Sequence, residues 1–297
     1  LTCLGIVTNL INVRVFHRQG VTSDSTTVVL FTLSLSDLLG CVFLVPEIFC
    51  FYAEGRVQTD NGFINNCTEL TLMPATYTHL ILIKISSFVT VYLSVERAIC
   101  VVFPLRVKRI IRVKNTVTIM VLIYILLIIS FLPYGVNVFV VWVADPNKNG
   151  SHKAINYATP EGKTFALTNS LFHSFTMSSL TMIVVTVSTV AIVTRLKASV
   201  KWRAASALGR CSGLKGFDRA SVKKMETARI VLAIMSVYLM CLTFTHIPNM
   251  ALVAIPGADL TGRNRFFAEV LYVLKFDFDS FNSSVHFFFY IRMSSKY

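Results

Sequence analysis

Residues 94–105 of the chain read SVERAICVVFPL, and they close a long apolar run that is followed by a burst of cations. The stretch places Glu96 and Arg97 side by side at the end of a segment that is otherwise apolar enough to lie in a membrane. Charged side chains within a membrane helix are costly, and they usually serve a function. We therefore interpret this acid–arginine pair as a switch on the cytoplasmic side of a membrane protein.

The composition of the 297-residue chain predicts a membrane protein. Hydrophobic residues make up 54% of the chain, charged residues make up 14%, and the mean hydropathy is +0.65. An apolar segment of about 20 residues can cross a hydrocarbon core of about 30 Å. Seven such segments lie near residues 1–16, 26–52, 70–102, 116–143, 165–194, 227–254 and 266–291.

The distribution of Lys and Arg predicts the orientation in the membrane, because short loops rich in these residues stay in the cytoplasm. The loops after the third and fifth segments are strongly basic, whereas the alternate loops are nearly balanced. A multi-pass plasma-membrane protein with its amino terminus outside and its carboxyl terminus inside is expected. Sequons at Asn66 and Asn149 fall in loops assigned to the outside, and both are candidate glycosylation sites.

The net charge of +13 does not indicate a nucleic-acid partner. The excess of cations is confined to the loops assigned to the cytoplasm, where it serves topology and attraction to anionic membrane lipid. The same basic surface would suit an acidic protein partner.

The order and spacing of several short motifs resemble the rhodopsin-like (class A) G protein-coupled receptors across essentially the whole chain. The motifs are residues 5–9, residues 33–39, residues 96–98 with Pro104 and Leu105, Pro248, and residues 282–284 leading to Tyr290. Each motif alone is weak, but the complete set in order is a strong signal. The resemblance is to divergent members, similar to invertebrate neuropeptide or chemosensory receptors.

This resemblance implies an all-α membrane protein. Its fold would be a seven-transmembrane helix bundle with the start of a short amphipathic helix after the seventh span. Residues 1–297 would form a single receptor domain that is truncated at both ends, since the chain opens on Leu1 and stops as the amphipathic helix begins.

Several positions depart from the family pattern. His286 and the residues after it replace the usual Asn-Pro-x-x-Tyr motif, so the proline that kinks the seventh helix is missing. His246 stands where the sixth helix usually carries a tryptophan. The second outer loop has no cysteine for the family disulfide, but Cys50 and Cys67 both lie at outer helix ends. They can bridge if their Cα atoms come within about 7 Å, and the alternative is two unpaired thiols.

The resemblance assigns a polar site at membrane depth to Asp37. The carboxylate would join Ser86, Asn282 and Ser283 around a sodium ion, which would act as an allosteric ligand, or around water molecules. Oxygen ligands suit a hard cation. The alternative is a hydrogen-bonded polar cluster without a metal. His286 is expected close to Asp37, and its charge would displace a sodium ion if the imidazole were protonated.

The resemblance also implies coupling to a heterotrimeric G protein. Glu96 would restrain Arg97 in the resting state, and activation would free the arginine to contact the G protein. The residues expected to act in coupling are Glu96, Arg97, Pro104, Leu105, Lys223, Lys224, Arg229 and Tyr290.

The outer half of the predicted bundle carries too many polar residues to face lipid throughout. The candidate ligand-pocket residues are Glu47, His79, Lys84, His173, His246, Asn249, Lys275 and Asp279. Lys84 needs a carboxylate partner, and Glu47 and Asp279 are the candidates. Lys275 and Asp279 lie one helical turn apart and can pair on one face. His79 can be either a packed, neutral histidine or a residue that contacts the ligand.

The resemblance narrows the ligand by what is absent. Amine receptors carry an aspartate where this chain has His79, and opsins hold retinal on a lysine where it has Ser280. Neither type of ligand is expected. The mixed charges of the pocket favour a short peptide or a chemosensory molecule. Residues 153–158 can form one arm of an outer hairpin, which also suits a peptide.

The sequence also bears on three other classes of function. An enzyme would need a convergent nucleophile–base or metal constellation, and the sequence pattern contains none. A transporter would show an internal repeat and broken helices near the midplane, which makes it the weaker alternative. A decoy or scavenger receptor without G protein coupling is the closer alternative. A receptor that signals differs from it in raising nucleotide exchange when agonist binds.

Overall fold

The computed structural model describes residues 1–56, 66–103, 107–144, 152–207, 232–233, 235–248, 250–251, 255 and 264–293. Within these ranges the chain forms seven long helical stretches in the predicted order, one short helix and one β-hairpin. The first two stretches are α1 (Thr2–Gln19) and α2 (Ser25–Arg56), and the third joins α3 (Cys67–Thr71), the π-helix π1 (Leu72–Tyr77) and α4 (Thr78–Val102). After the short helix α5 (Val107–Ile110), the fourth stretch is α6 (Val113–Asn137), and the fifth joins α7 (Pro160–Leu171), the π-helix π2 (Phe172–Met177) and α8 (Ser178–Ala207). The last two stretches are α9 (Met235–Pro248) and α10 (Arg265–Met293).

Four helical segments in the described ranges are long and apolar enough to cross a membrane. They are Ser25–Cys50, Pro74–Val102, Val113–Asn137 and Phe172–Ala198, with mean hydropathies of 2.3, 1.6, 2.5 and 1.9. Large apolar side chains such as Leu126, Ile183 and Val187 remain exposed on their surfaces. Exposed apolar surface of this extent suits a lipid environment rather than water.

The helix α4 lies at the centre of the packing. Its residues Ile85 and Val89 belong to a buried cluster with Val29 and Leu33 of α2. Further along α4, Ala98 and Val101 pack against a second cluster, which joins α8 to α9. Because α4 contributes to both clusters, its polar side chains can contact several helices at once.

Two helix starts are set by local sequence. The Asp24 carboxylate accepts a hydrogen bond from the Thr27 backbone N–H at 2.8 Å and caps α2. The Thr159 hydroxyl accepts one from the Gly162 N–H at 3.0 Å and caps α7, whose first residue is Pro160. Proline suits that first position because its missing N–H would have no partner within the helix.

The prediction of a helix over residues 116–143 is wrong at its end. The helix α6 ends at Asn137, and residues Val138–Ala144 form strand β1. Strand β2 (His152–Ala158) pairs with it in antiparallel register, with Val138 opposite Ala158. The sequence VFVVWV of β1 is β-branched and aromatic, which favours a strand once a helix has ended. The hairpin arm predicted over residues 153–158 is confirmed.

Two π-helices interrupt the third and fifth helical stretches. The first, π1, contains Pro74, which cannot donate a backbone hydrogen bond. The second, π2, contains no proline, and the Ser178 hydroxyl just after it donates to the His173 carbonyl at 3.3 Å. Single-turn π-helices occur frequently at functional sites.

The seventh helical stretch is continuous. The helix α10 runs from Arg265 to Met293 without the proline that the family pattern would place in it. The amphipathic helix expected after this span would begin among residues that lie outside the described ranges or at their edge.

A disulfide joins Cys50 at the end of α2 to Cys67 at the start of α3, with the two Cα atoms 5.1 Å apart. It ties the ends of two helices together at the side of the bundle that carries the hairpin. The neighbouring Asn66 is only 3% exposed. A glycan needs an exposed asparagine, so this burial disagrees with glycosylation of Asn66 in the folded chain. Asn149 lies outside the described residues.

Close packing of α1 against α2 and α10 depends on Gly5. A Cβ atom at this position would lie 2.7 Å from the Cys41 Sγ and 3.2 Å from the Ser284 Oγ. A Cβ atom at Gly40 would meet only ordinary contacts, the nearest at 3.7 Å from the Leu82 Cβ. The two glycines therefore differ in how much space a methyl group would find.

We expect Gly5→Ala to lower the free energy of unfolding by about 1–3 kcal/mol, because the methyl group forces buried side chains apart. Gly40→Ala serves as the matched control and should have a much smaller effect. Thermal unfolding of the two purified variants in detergent measures the difference. Equal melting temperatures for both variants would show that α1 does not need the close approach at Gly5.

Candidate functional site

Asp37 holds three helices together at the centre of the bundle. One of its carboxylate oxygens accepts a hydrogen bond from the Ser86 hydroxyl of α4 at 2.6 Å. The other oxygen lies 3.2 Å from the Nδ1 of His286 of α10. Asp37 is 2% exposed and His286 is 1% exposed. The prediction that His286 lies close to Asp37 is confirmed.

A second polar group connects α1 to α10. The Asn9 side-chain amide donates to the Ser283 carbonyl at 3.0 Å and reaches the Ser283 hydroxyl at 3.1 Å. The same amide donates to the Gly5 carbonyl at 2.9 Å. Near the other end of α1, the hydroxyls of Thr2 and Ser280 lie 3.1 Å apart. These contacts engage Ser283 with α1 rather than with Asp37.

A small cavity lies between α4, α9 and α10. Its volume is about 20 Å³, which is room for about one water molecule. The lining residues are Ile83, Ser86, Ser87, Tyr238, Cys241, Leu242, Thr245, Asp279 and Asn282. The Oδ2 of Asp279 and the Oδ1 of Asn282 are buried and have no hydrogen-bond partner among the described residues. Two buried acceptors without donors make this a site for a hydrogen-bonding guest.

The structure brings together only some of the four residues predicted to hold a sodium ion: Ser86 bonds to Asp37, and Ser86 and Asn282 line the same cavity. Ser86 and His286 already engage both oxygens of Asp37. Ser283 contacts Asn9, and Asn282 lines the cavity that also contains Asp279. In this arrangement Asp37 belongs to a hydrogen-bonded polar cluster, and the sodium site stays a prediction.

Glu96 and Arg97 are linked through the start of α2. One Glu96 oxygen accepts from the Ser25 hydroxyl at 2.7 Å and from the Thr26 hydroxyl at 3.4 Å. The Arg97 guanidinium donates to the same Thr26 oxygen. The direct contact expected from the sequence is replaced by this bridge, because the Thr26 hydroxyl can both accept and donate.

The other residues predicted to act in coupling cannot be placed. Pro104, Leu105, Lys223, Lys224 and Arg229 lie outside the described residues. Tyr290 belongs to α10, but its side chain is also outside the described part of the structure.

Lys84 is bound to a residue that the sequence did not single out. Its ammonium group donates to the Ser178 hydroxyl of α8 at 2.6 Å. Neither of the two predicted carboxylate partners, Glu47 and Asp279, forms an ion pair with Lys84 within the described residues. Glu47 instead accepts from Thr71 at 3.2 Å and from Thr76 at 2.5 Å. The structure therefore pairs Lys84 with Ser178 and not with the predicted Glu47.

Three histidines line the outer half of the bundle beside aromatic rings. The His79 Nδ1 lies 2.8 Å from the Gly40 carbonyl oxygen, and the ring contacts Phe276 edge-on at 5.4 Å between centroids. The His173 ring stacks on Phe131 at 4.0 Å. The His246 ring lies 5.8 Å from Phe175, nearly parallel to it. Asn249 lies outside the described residues.

Lys275 and Asp279 share a face of α10, as their spacing predicts. No ion pair within 4.0 Å joins them in the described part of the chain, although they interact electrostatically. The Lys275 ammonium lies 5.3 Å from the centroid of the Phe276 ring. Contact between a cation and an aromatic face is favourable, but it does not neutralise the charge.

Sequence reasoning missed Thr26, Ser178 and Asn9 as functional partners. Serine and threonine are common in membrane helices, where they bond to their own backbone. Nothing in the spacing of Thr26 or Ser178 marks them as partners of a charged residue in another helix. Asn9 belongs to a motif that the sequence did single out, but its bond to Ser283 depends on tertiary packing.

The family model described as "7 transmembrane receptor (rhodopsin family)" matches residues 8–276. The chain belongs to this receptor family. The fold is therefore a seven-transmembrane helix bundle, and the protein crosses the membrane several times. The family is one of receptors and not of enzymes, in agreement with the sequence prediction. No curated protein matches the chain.

The bond between Lys84 and Ser178 predicts a stability difference between two adjacent serines of this receptor. Ser178→Ala should lower the free energy of unfolding by about 1–3 kcal/mol, because it leaves the ammonium group without its hydrogen-bond acceptor. Ser179→Ala is the matched control, since the Ser179 side chain forms no hydrogen bond within the described ranges. Thermal unfolding measures both. If Ser178→Ala lowered the stability equally in a Lys84→Met background, the loss would come from the hydrogen bond to the His173 carbonyl and not from Lys84.

The geometry at Asp37 predicts that sodium does not stabilise the wild-type receptor. His286→Asn removes the ring that faces Asp37 and should create a sodium response of about 1 kcal/mol when sodium exceeds its Kd several-fold. The comparison is thermal stability in sodium chloride and in N-methyl-D-glucamine chloride at equal concentration. A further Asp37→Asn change should abolish the response. Stabilisation of the wild type by sodium to the same degree would contradict this account.

Proposed function

We propose that this receptor binds an extracellular ligand in the outer half of its bundle and activates a heterotrimeric G protein at the opposite end. The observation that carries the proposal is the bridge of Thr26 between Glu96 and Arg97. It ties α2 to α4 at the end that precedes the basic loop. The basic loop would attract an acidic partner, and this supports the assignment of the coupling surface to the same end of the bundle.

The bridge is incompletely satisfied, which suits a switch. The Oε2 of Glu96 and the Nε of Arg97 are buried and have no hydrogen-bond partner among the described residues. Leaving a charged donor or acceptor unpaired in a buried site is costly. A second state in which a partner protein pairs with Arg97 is therefore close in free energy. A ligand that favours this second state shifts the equilibrium toward it.

Polar contacts between α4 and α2 recur at three depths. His79 bonds to the Gly40 carbonyl in the outer half, Ser86 bonds to Asp37 at the centre, and Glu96 bonds to Ser25 at the coupling end. A displacement of α4 relative to α2 must alter all three. Ligand contact near His79 can therefore influence the bridge at Thr26 through one rigid helix, and mutational coupling is the appropriate test.

We propose a short peptide or a small chemosensory molecule as the ligand. The candidate pocket residues include both charges and lie beside aromatic rings, and the hairpin of β1 and β2 packs against α3, α6 and α7. The proposed orientation places the amino terminus, the hairpin and a glycan on Asn149 outside the cell. The plasma membrane is the corresponding location.

The alternative within the same family is a decoy or scavenger receptor. Such a receptor would keep the ligand pocket but would not raise nucleotide exchange. The departure at His286 favours this alternative, because this residue lies beside Asp37, between the pocket and the coupling end. A transporter is a weaker alternative, since the chain belongs to a receptor family.

The bridge predicts opposite effects of two substitutions on nucleotide exchange. Thr26→Val removes the hydroxyl and should raise basal exchange, because Arg97 loses its restraint. Arg97→Ala in the Thr26→Val background should abolish this exchange, because the contact with the G protein is lost. Exchange by a panel of purified heterotrimeric G proteins, with the receptor in nanodiscs, measures both effects without a known ligand.

A melting temperature within a few degrees of the wild type is the control for folding of both variants. Unchanged exchange after Arg97→Ala would remove the arginine from the mechanism. Absence of exchange in every variant and with every G protein would favour the decoy.

A further inference from the structure

Two lysines and one aspartate of the candidate ligand pocket lie close to one another. Lys84, Lys275 and Asp279 lie within the helical bundle, close enough to interact electrostatically with one another. Lys84 also lies near His173 and His246. This group therefore holds two ammonium groups and one carboxylate, with neutral or protonated imidazoles around them.

Within the described residues, neither lysine has a charged partner at hydrogen-bond distance. Lys84 donates to the uncharged Ser178 hydroxyl, and Lys275 faces the ring of Phe276. Asp279 has an oxygen without any hydrogen-bond partner in the described part of the chain. If Asp279 neutralises one lysine, one positive charge remains among these three residues.

The other carboxylates of α2 and α10 whose side chains are described do not contact the two lysines. Glu47 accepts hydrogen bonds from Thr71 and Thr76. Asp37 is bound by Ser86 and His286. Asp277 of α10 is exposed on the outside of the bundle rather than directed into it. None of these three carboxylates forms an ion pair with Lys84 or Lys275 in the described ranges.

We infer that the natural ligand carries a carboxylate, which Lys84 and Lys275 bind together. An unpaired charge within a membrane protein is costly and usually marks a ligand or ion pathway. A carboxylate supplies the missing negative charge and accepts the hydrogen bonds that ammonium groups donate. An amine ligand would meet two like charges instead. This inference rests on the proposed ligand site and specifies the chemical class of its ligand.

The histidines indicate a second feature of the ligand. In the neutral ring, the His79 Nδ1–H donates to Gly40, which leaves Nε2 as an acceptor without a partner among the described residues. His173 likewise directs Nε2 toward the Ser130 carbonyl at 3.4 Å, and its Nδ1 has no described partner. Both free nitrogens can accept a hydrogen bond from an N–H or O–H group of the ligand.

Aromatic rings provide the apolar wall of this site. Phe276 contacts both His79 and Lys275, and Phe131 stacks on His173. Pockets that combine apolar walls with a few convergent polar groups are typical of small-ligand sites. A carboxylic acid with one donor group on an apolar frame meets these requirements. The carboxylate can belong to a free organic acid or to the carboxyl terminus of a short peptide.

The test uses matched pairs of compounds that differ only in charge. The pairs are N-acetyl dipeptides with a free or an amidated carboxyl terminus, and aliphatic and aromatic hydroxy acids with their primary amides. Thermal unfolding of the purified receptor in nanodiscs measures binding without any G protein. We expect acids to raise the melting temperature and the matching amides to have no effect. Peptide acids and free acids are compared separately, which identifies the source of the carboxylate.

Variants then test the charge balance for the acid that binds best. Lys84→Met and Lys275→Met should each weaken its affinity about tenfold or more, because a charge-assisted hydrogen bond is lost. Asp279→Asn should strengthen the affinity, because the competing carboxylate is removed. Asp277→Asn, on the same helix but exposed, is the matched control and should leave the affinity unchanged.

Three results would overturn the inference: no acid stabilises the receptor, amides stabilise it as well as acids do, or Asp279→Asn weakens acid binding. The Asp279 variant and the acid–amide comparison remain decisive if a lysine variant does not fold. Nucleotide exchange is measured in parallel. Acid-selective binding without exchange contradicts only the coupling proposal, whereas exchange driven by an uncharged compound contradicts only the carboxylate inference.

Discussion

The burial of Asp37 is the constraint on which the rest of the structure depends. A carboxylate in the middle of a bundle surrounded by lipid must find its hydrogen bonds within the protein. Ser86 and His286 provide them from two other helices, so α2, α4 and α10 are held at fixed positions. The same requirement explains why Asn9 reaches Ser283, since lipid provides no donor or acceptor. Apolar packing fills the space between these polar contacts but does not by itself fix the register of the helices.

The helix α4 carries this constraint from one side of the membrane to the other. Its polar residues face α2 at three depths, and its apolar residues pack on both sides. A rigid helix with several specific contacts has few alternative positions, so a change at one contact affects the others. The unsatisfied groups of Glu96 and Arg97 lie at one end of α4, and the group of basic residues around Lys84 lies toward the other. A ligand bound near Lys84 would act by shifting α4 and thereby altering the contacts of Glu96 and Arg97.

Part of the site could be predicted from the sequence, and part could not. The closeness of His286 to Asp37 followed from a family resemblance, since helix order and motif spacing already determine which faces of α2 and α10 meet. The partner of Lys84 did not follow. The sequence pointed to a carboxylate because charges seek opposite charges, yet the rotation of α8 brings Ser178 to the ammonium group. The contacts of the residues predicted to hold sodium also depend on tertiary packing, because Asn282 lines the cavity beside Asp279 whereas Ser283 contacts Asn9.

The sequence by itself determined that this is a multi-pass membrane protein, which helices it forms, and to which receptor family it belongs. Long apolar runs, loop charges and short motifs are local properties, and each can be recognised without knowledge of the tertiary contacts. Only the tertiary structure decided that α6 ends at Asn137 and gives way to a strand, because residues 138–143 are apolar enough for either element. It also decided which polar groups pair and which stay unsatisfied. Those pairings depend on differences of a few tenths of an ångström in the distances between atoms of residues far apart in the chain. No local pattern records such differences.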